Sequence, residues 1–233
     1  MNAVADAAAA SAAASQPVNP QDRLKLTEIF VSLQGEARDA GWPTVFVRLT
    51  GCPLRCHYCD TAYAFHGGNW WDIDAILAEV ASHGARHVCV TGGEPLAQKR
   101  CLSLLAKLCD AGYSVSLETS GAIDIAGVDP RVSRVLDIKT PDSGEVERNL
   151  WDNLPLLTPR DQVKFVICSR TDFDWARGVL AEHRLHEVCD VLFSPSYTQL
   201  APRTLADWIV DEKLPVRFQM QLHKALWGEE QGK

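Results

Sequence analysis

The sequence predicts an α/β chain folded as a partial, reduced (β/α) TIM-like barrel with about six parallel strands. Three observations carry that expectation. Short apolar or alternating runs take turns with amphipathic stretches from residue 24 onward. About seven strand-like runs and at least four helical ones alternate, the pattern of βαβ units around a parallel sheet. Polar or glycine-bearing signatures recur where the strands end, namely "LTGC", "TGGEP", "LETSG", "LDIKTP", "FSPS" and "QLHK". The C-terminal ends of parallel strands are where such folds keep their functional groups.

Taken in order, "LKLTEIFVSLQ" begins as a strand and runs into the loop "GEARDAGWP". "TVFVRLTG", residues 44–51, is β-branched and alternating, so it reads as a strand that Gly51 ends. A cysteine-rich loop follows. "DIDAILAEVASHG" places Ile73, Ile76, Leu77 and Val80 at helical spacing, with Asp72 suited to cap its start and Gly84 its end. "RHVCVTGGEP" is a buried-type strand running into glycines, and "KRCLSLLAKLCDAG" a helix that stops at Gly112. "YSVSLETSG", "VSRVLDIKTP" and "DQVKFVIC" are strands. Between the last two, "DSGEVERNLWDNLPLLTPR" shows only a weak helical pattern, so an irregular crossover replaces a full helix there. That is the reason to expect a reduced barrel rather than eight βα units. "DFDWARGVLAEHRLHE" is helical, "VCDVLFSPS" a strand, "RTLADWIVDEKLP" a helix and "VRFQMQLHK" a final strand.

The chain has 233 residues and a net charge of −7, an acidic balance that argues against broad nucleic-acid binding. No apolar run reaches the roughly 18 residues of a membrane span. The start "MNAVADAAAASAAASQPVNPQ" lacks a basic segment followed by large apolar residues, so it does not read as a secretory signal. Its Ala/Ser bias followed by Pro17 and Pro20 makes 1–22 an expected disordered tail, and 23–233 an expected single domain. Of the eight cysteines, Cys89, Cys101, Cys109, Cys168 and Cys189 are scattered among apolar neighbours and read as small hydrophobes. With no secretory signal, this composition points to a reducing cytoplasm.

The other three, Cys52, Cys56 and Cys59, fall inside eight positions in "GCPLRCHYCDTAYAF". The chemical candidates for C-x3-C-x2-C are zinc, a disulfide with a spare thiol, or an iron–sulfur cluster. Structural zinc prefers four ligands, usually two C-x2-C pairs; a second pair is missing, although His57 or His66 could supply a fourth ligand. A [4Fe–4S] cluster normally takes four thiolates, so three would leave one iron open to another molecule.

With Tyr58 as the aromatic before the last cysteine, this triplet resembles the hallmark of the radical S-adenosylmethionine (SAM) superfamily. The resemblance implies that Cys52, Cys56 and Cys59 ligate three irons and that SAM chelates the fourth, to be cleaved to a 5′-deoxyadenosyl radical. "TGGEP", residues 91–95, resembles the superfamily's second motif, which meets the methionyl amino group; alone it is equally a strand-to-helix turn. "SLQGEA", "VFVRLTGC", "CDTAYAF", "ETSG", "DIKTP" and "QLHK" further resemble the 7-carboxy-7-deazaguanine synthase family, over residues 26–224.

That family converts 6-carboxy-5,6,7,8-tetrahydropterin to 7-carboxy-7-deazaguanine and ammonia, on the path to queuosine, with a magnesium ion. The resemblance implies SAM contacts at Tyr58, Cys59, Asp60, Gly93, Asp137, Ile138 and Lys139, and at Ser194, Pro195, Ser196 and Tyr197, where "SPSY" is divergent. It implies Mg²⁺ at Thr61 and substrate contacts at Leu33, Gln34, Gly35, Glu36, Arg48 and Thr91. Arg48 suits the substrate carboxylate as a planar fork of donors; the alternative is a surface arginine. For Lys139 the alternative is an ion pair with Asp137, and Glu118 reads either as a ligand contact or as a structural acid. Glycyl-radical activating enzymes share the triplet and are the alternative function. The family resemblance also implies a homodimer and an electron donor such as flavodoxin or ferredoxin.

Overall fold

The computed structural model describes residues 22–228, 230 and 232, so the expected tail lies outside the described residues save for Asp22. The chain runs β1 (Arg23–Leu33), β2 (Pro43–Leu49), β3 (Asn69–Asp72), α1 (Ile73–Ser82), β4 (His87–Gly92), α2 (Cys101–Asp110), β5 (Ser114–Thr119) and β6 (Ser133–Asp137). It continues through β7 (Gln162–Ile167), α3 (Arg170–Glu182), β8 (Asp190–Pro195), α4 (Pro202–Glu212), β9 (Arg217–Phe218) and α5 (Leu222–Trp227). Among the described residues the strands form one sheet in the order β3-β1-β2-β4-β5-β6-β7-β8-β9. β1 is antiparallel to both β2 and β3, and from β2 to β9 every pairing is parallel. β3 and β9 stand at opposite ends, so the sheet is a partial barrel.

Strand parity divides the sheet into two faces. On β2, Val45, Val47 and Leu49 are fully buried in the core under the helices, with Ile76 and Val80 of α1 and Leu104, Leu105 and Leu108 of α2. The intervening Phe46 and Arg48 face the concave side and line a cavity. β1 changes parity along its length. Leu24 and Leu26 are in the helix-side core, yet Ile29 packs there too, because the pairing slips between Leu26↔Leu49 and Glu28↔Arg48. Thr27 is the extra residue of this β-bulge, a device that re-aims the side chains after it. On the concave side the loop after β1 turns inward, where Ala37 packs with Val135 and Leu192.

The crossover from β6 to β7 is irregular, as expected: 3₁₀ turns at Pro141–Ser143, Val146–Arg148 and Trp151–Leu156 stand in place of a helix. All eight cysteines are free thiols, and Cys89, Cys101, Cys168 and Cys189 are buried. No helix among the described residues is long and apolar enough to cross a membrane.

Two expectations need correction, and one strand was not expected. Asp72 occupies the N-cap of α1 without a side-chain hydrogen bond to it, because its carboxylate pairs with Arg23 at 3.2 Å. "NWWD" forms β3, which four residues between glycines and a helix did not announce. The expected final strand "VRFQMQLHK" pairs only at Arg217–Phe218, and Leu222–Trp227 is helical. There the chain is diverted from the sheet by the loop after β1: Leu222 N donates to Gly35 O at 2.9 Å, and the Gln219 side chain holds both the N–H and the carbonyl of Ala37.

Candidate active site

The concave face holds a cavity of about 420 Å³ at the C-terminal ends of the parallel strands. Its wall takes residues from the cysteine loop, from the loop after β1, and from the ends of β4, β5, β6 and β8. Every residue singled out above as a ligand contact lines it except Ile138, whose side chain is in the helix-side core.

The cysteine loop is built against glycine. Gly51 turns the chain out of β2 at φ +101°, and Glu94 N donates to its carbonyl at 2.8 Å. A Cβ on Gly93 would stand 2.3 Å from Gly51 O and 2.8 Å from Cys52 Cβ, so only glycine permits this approach. Glu94, fully buried, accepts from Leu96 N, Thr119 Oγ1 and Ser120 N, locking "TGGEP" to "ETSG". On its other side the loop rests on the β6–β7 crossover: His57 N donates to Ser143 O at 3.0 Å, and the His57 ring covers Gly144.

Cys52, Cys56 and Cys59 are partly buried in the cavity wall. Burial pushes the Cys52 thiol up and the Cys56 thiol up to about 11, so metal binding would displace their protons. Among the described residues, no three His, Cys, Asp or Glu side chains gather at one point as a mononuclear site requires. Three free thiols in one loop of the cavity wall are donors of the type an iron–sulfur group takes, one thiolate to each iron. The buried Tyr58 hydroxyl beside them has no hydrogen-bond partner among the described residues, a polar atom left for a ligand.

Charged groups line the floor. Lys164 of β7 pairs with Glu36 at 2.8 Å and Asp137 at 3.4 Å, and Lys139 pairs with Asp137 at 3.1 Å, the ion pair weighed above. Asp60 accepts from Lys224 at 3.1 Å and Gln221 at 3.3 Å. Burial raises the Asp60 and Glu36 carboxyls, but Lys224 and Lys164 respectively overcome it and hold each below its ordinary value. Glu118 accepts from Thr91 Oγ1 at 3.2 Å, and burial pushes its carboxyl up. Thr61 Oγ1 lies 3.8 Å from Cys59 Sγ. Arg48 donates through Nε to Glu28 at 2.7 Å, so it is no free surface arginine.

His223 and Lys224 also line the cavity; the imidazole sits where a Cβ on Gly35 would be, 2.1 Å from His223 Nδ1. Sequence reasoning missed Lys164, although a lone charge in the apolar run "QVKFVI" was its signal. It missed Glu28 for want of any local signal, and gave no role to Gln221 although it opens the "QLHK" signature.

Residues 46–137 match the model of the radical SAM superfamily. The matched segment carries the three thiols, Gly93 and Asp137 of the cavity wall, and a radical SAM enzyme is the class of protein this defines. The chain is 45% identical over 208 residues to the 7-carboxy-7-deazaguanine synthase of Chlorobaculum tepidum, spanning 88% of this chain and 94% of the relative. It is 40% identical over 222 residues to that of Koribacter versatilis, spanning 89% and 98%. The chain belongs to the 7-carboxy-7-deazaguanine synthase family. Its fold is also similar to that of QueE from Escherichia coli, with a TM-score of 0.72 at 24% identity, covering 86% of this chain and 95% of that one. A more distant likeness is TYW1 with a lysine–pyruvate adduct bound, TM-score 0.53 at 12% identity, covering 72% and 73%.

Proposed function

We propose that the chain acts as a 7-carboxy-7-deazaguanine synthase, converting 6-carboxy-5,6,7,8-tetrahydropterin to 7-carboxy-7-deazaguanine with release of ammonia. The observation that carries this reading is convergence: the three thiols, Gly93 and Arg48 all line one cavity. The relatives do not favour the glycyl-radical activating alternative.

In this reading Cys52, Cys56 and Cys59 hold a [4Fe–4S] cluster, and Tyr58, Asp60, Gly93, Asp137, Lys139 and residues 194–197 hold SAM, while Ile138 packs in the core behind them. Together these groups, when bound, supply the one-electron cleavage that leads to hydrogen-atom abstraction from the substrate. Gly93 keeps the ligand close to backbone, and Lys139 and Lys164 offset the carboxylates around them. Arg48 takes the substrate carboxylate, and Leu33, Gln34, Gly35 and Thr91 meet the ring with Glu36 nearby. Thr61 supplies one oxygen to Mg²⁺, an ion that seldom takes an all-protein cage. We place the enzyme in the cytoplasm as a homodimer served by flavodoxin or ferredoxin, with no nucleic acid or membrane among its partners.

The test is anaerobic reconstitution followed by incubation with SAM, dithionite, Mg²⁺ and 6-carboxy-5,6,7,8-tetrahydropterin. Mass spectrometry should detect 7-carboxy-7-deazaguanine; a brown, SAM-responsive protein that makes none overturns the assignment.

A further inference from the structure

Arg48 is held from behind. Its Nε donates to Glu28 Oε1 at 2.7 Å, and the Tyr63 hydroxyl donates to the same oxygen at 2.8 Å. The guanidinium lies between two rings, 5.7 Å from the Phe30 centroid and 5.8 Å from that of Tyr63. Phe30 is in turn stacked on Phe46 at 5.0 Å. Arg48 lines the cavity, whereas neither Glu28 nor Tyr63 is part of its wall. Among the described residues, the Arg48 hydrogen bonds run through Nε alone, leaving Nη1 and Nη2 to a ligand.

This arrangement depends on the bulge at Thr27. With uninterrupted pairing from Leu26↔Leu49, Thr27 would oppose Arg48 and Glu28 would fall on the helix side with Leu24 and Leu26. The one-residue slip brings Glu28 directly opposite Arg48 on the concave face. Thr27 itself bonds Thr50 at 2.8 Å, tying down the irregular step. A carboxylate placed by a register shift, doubly bonded and set behind a cavity arginine, is a support for that arginine.

We propose that Glu28 and Tyr63 are positioning residues that clamp Arg48 by its Nε edge. The clamp presents the two Nη groups as a fixed fork for one planar carboxylate, and so sets the preference for a carboxylated pterin over the same ring without its carboxyl group. Arg–carboxylate recognition is directional, and a guanidinium fixed in advance loses less freedom on binding. The inference rests on the synthase reading, because that reading supplies the carboxylated substrate.

The test titrates the cluster-loaded protein with SAM present and reductant omitted, following pterin fluorescence. One titrant is 6-carboxypterin and the other 6-hydroxymethylpterin. The wild type should prefer the carboxylate. Glu28→Ala should weaken 6-carboxypterin binding on the order of tenfold while leaving 6-hydroxymethylpterin within about twofold. Glu28→Gln keeps an acceptor in place and should stay within about threefold of wild type for both ligands. Tyr63→Phe should move in the direction of Glu28→Ala by a smaller factor, and it carries the test if Glu28→Ala fails to fold. In turnover, Glu28→Ala should raise KM with kcat little changed. A wild type that prefers the carboxylate and a Glu28→Ala or Tyr63→Phe protein with the same or greater preference overturns the clamp alone. A wild type with no preference overturns the clamp together with the carboxylate role of Arg48.

Discussion

Lys164 Nζ lies 2.8 Å from Glu36 Oε2, joining β7 to the loop after β1 across the concave face. Their side chains are 10% and 11% exposed. Removing one partner of a buried pair strands the other charge, so Lys164→Met should cost about 3–5 kcal/mol in urea denaturation. Glu36→Gln combined with Lys164→Met should recover part of that loss.

The same pair sets a pH dependence. Burial raises the Glu36 carboxyl, but Lys164 more than offsets this and holds it below its ordinary value, while Lys164 is held well above its own. A depressed carboxyl contributes stability that is present above its unfolded value, about 4.3, and is lost as pH falls through the folded value. A raised lysine contributes stability that is present below about 10.4 and is lost as pH rises through its folded value. Both contributions are in force between these limits. Urea midpoints should therefore fall as pH is taken from about 5 to about 3, and Glu36→Gln should narrow that difference; an unchanged gap would argue against a role for this pair.

Gly93→Ala tests the contact between β4 and the cysteine loop. The new Cβ would meet Gly51 O at 2.3 Å, a backbone atom that cannot swing aside. The loop must move, at a cost of about 1–3 kcal/mol. Iron and sulfide per chain after reconstitution should fall well below wild type. Full cluster content in this variant would mean that the contact does not set the loop.

Cysteine replacements should separate into two classes. Cys59→Ala should abolish the brown chromophore while leaving the thermal midpoint close to that of the apo wild type. Cys101→Ala, fully buried in α2, should cost about 1 kcal/mol and leave the chromophore intact. Absorption spectra and melting curves on the two proteins settle the matter.

Thr61→Ala removes the hydroxyl assigned to Mg²⁺. The concentration of Mg²⁺ giving half-maximal activation should rise about tenfold, with iron content unchanged. An unaltered Mg²⁺ response removes Thr61 from the metal.

Much of this organisation was legible in the sequence because it rests on local signals. The periodicities of "DIDAILAEVASHG" and "KRCLSLLAKLCDAG" became α1 and α2, and Gly84 and Gly112 do end them with positive φ. The weak pattern after "DIKTP" became 3₁₀ turns. Features that depend on distant pairing were not legible. Glu28 sits mid-strand, and only the slip at Thr27 decides which face it takes. "QMQLHK" looked like strand, but hydrogen bonds to Gly35 and Ala37 take it out of the sheet, and neither partner is near it in sequence. Asp72 was a suitable cap by identity, yet Arg23, its cross-strand partner in β1, claims it.

The seam between β3 and β9 has a kinetic consequence. Beyond β9 the C-terminal segment lines the cavity through Gln221, His223 and Lys224, held by Leu222 N on Gly35 O and by side-chain bonds from Gln219, Gln221 and Lys224. Peeling that segment away breaks a handful of bonds and no strand ladder. The amides of residues 222–227 should therefore exchange with solvent through far cheaper openings than those of β4 or β7. Release of that part of the cavity wall and loss of the central strands should therefore show as two separate sets of exchange rates.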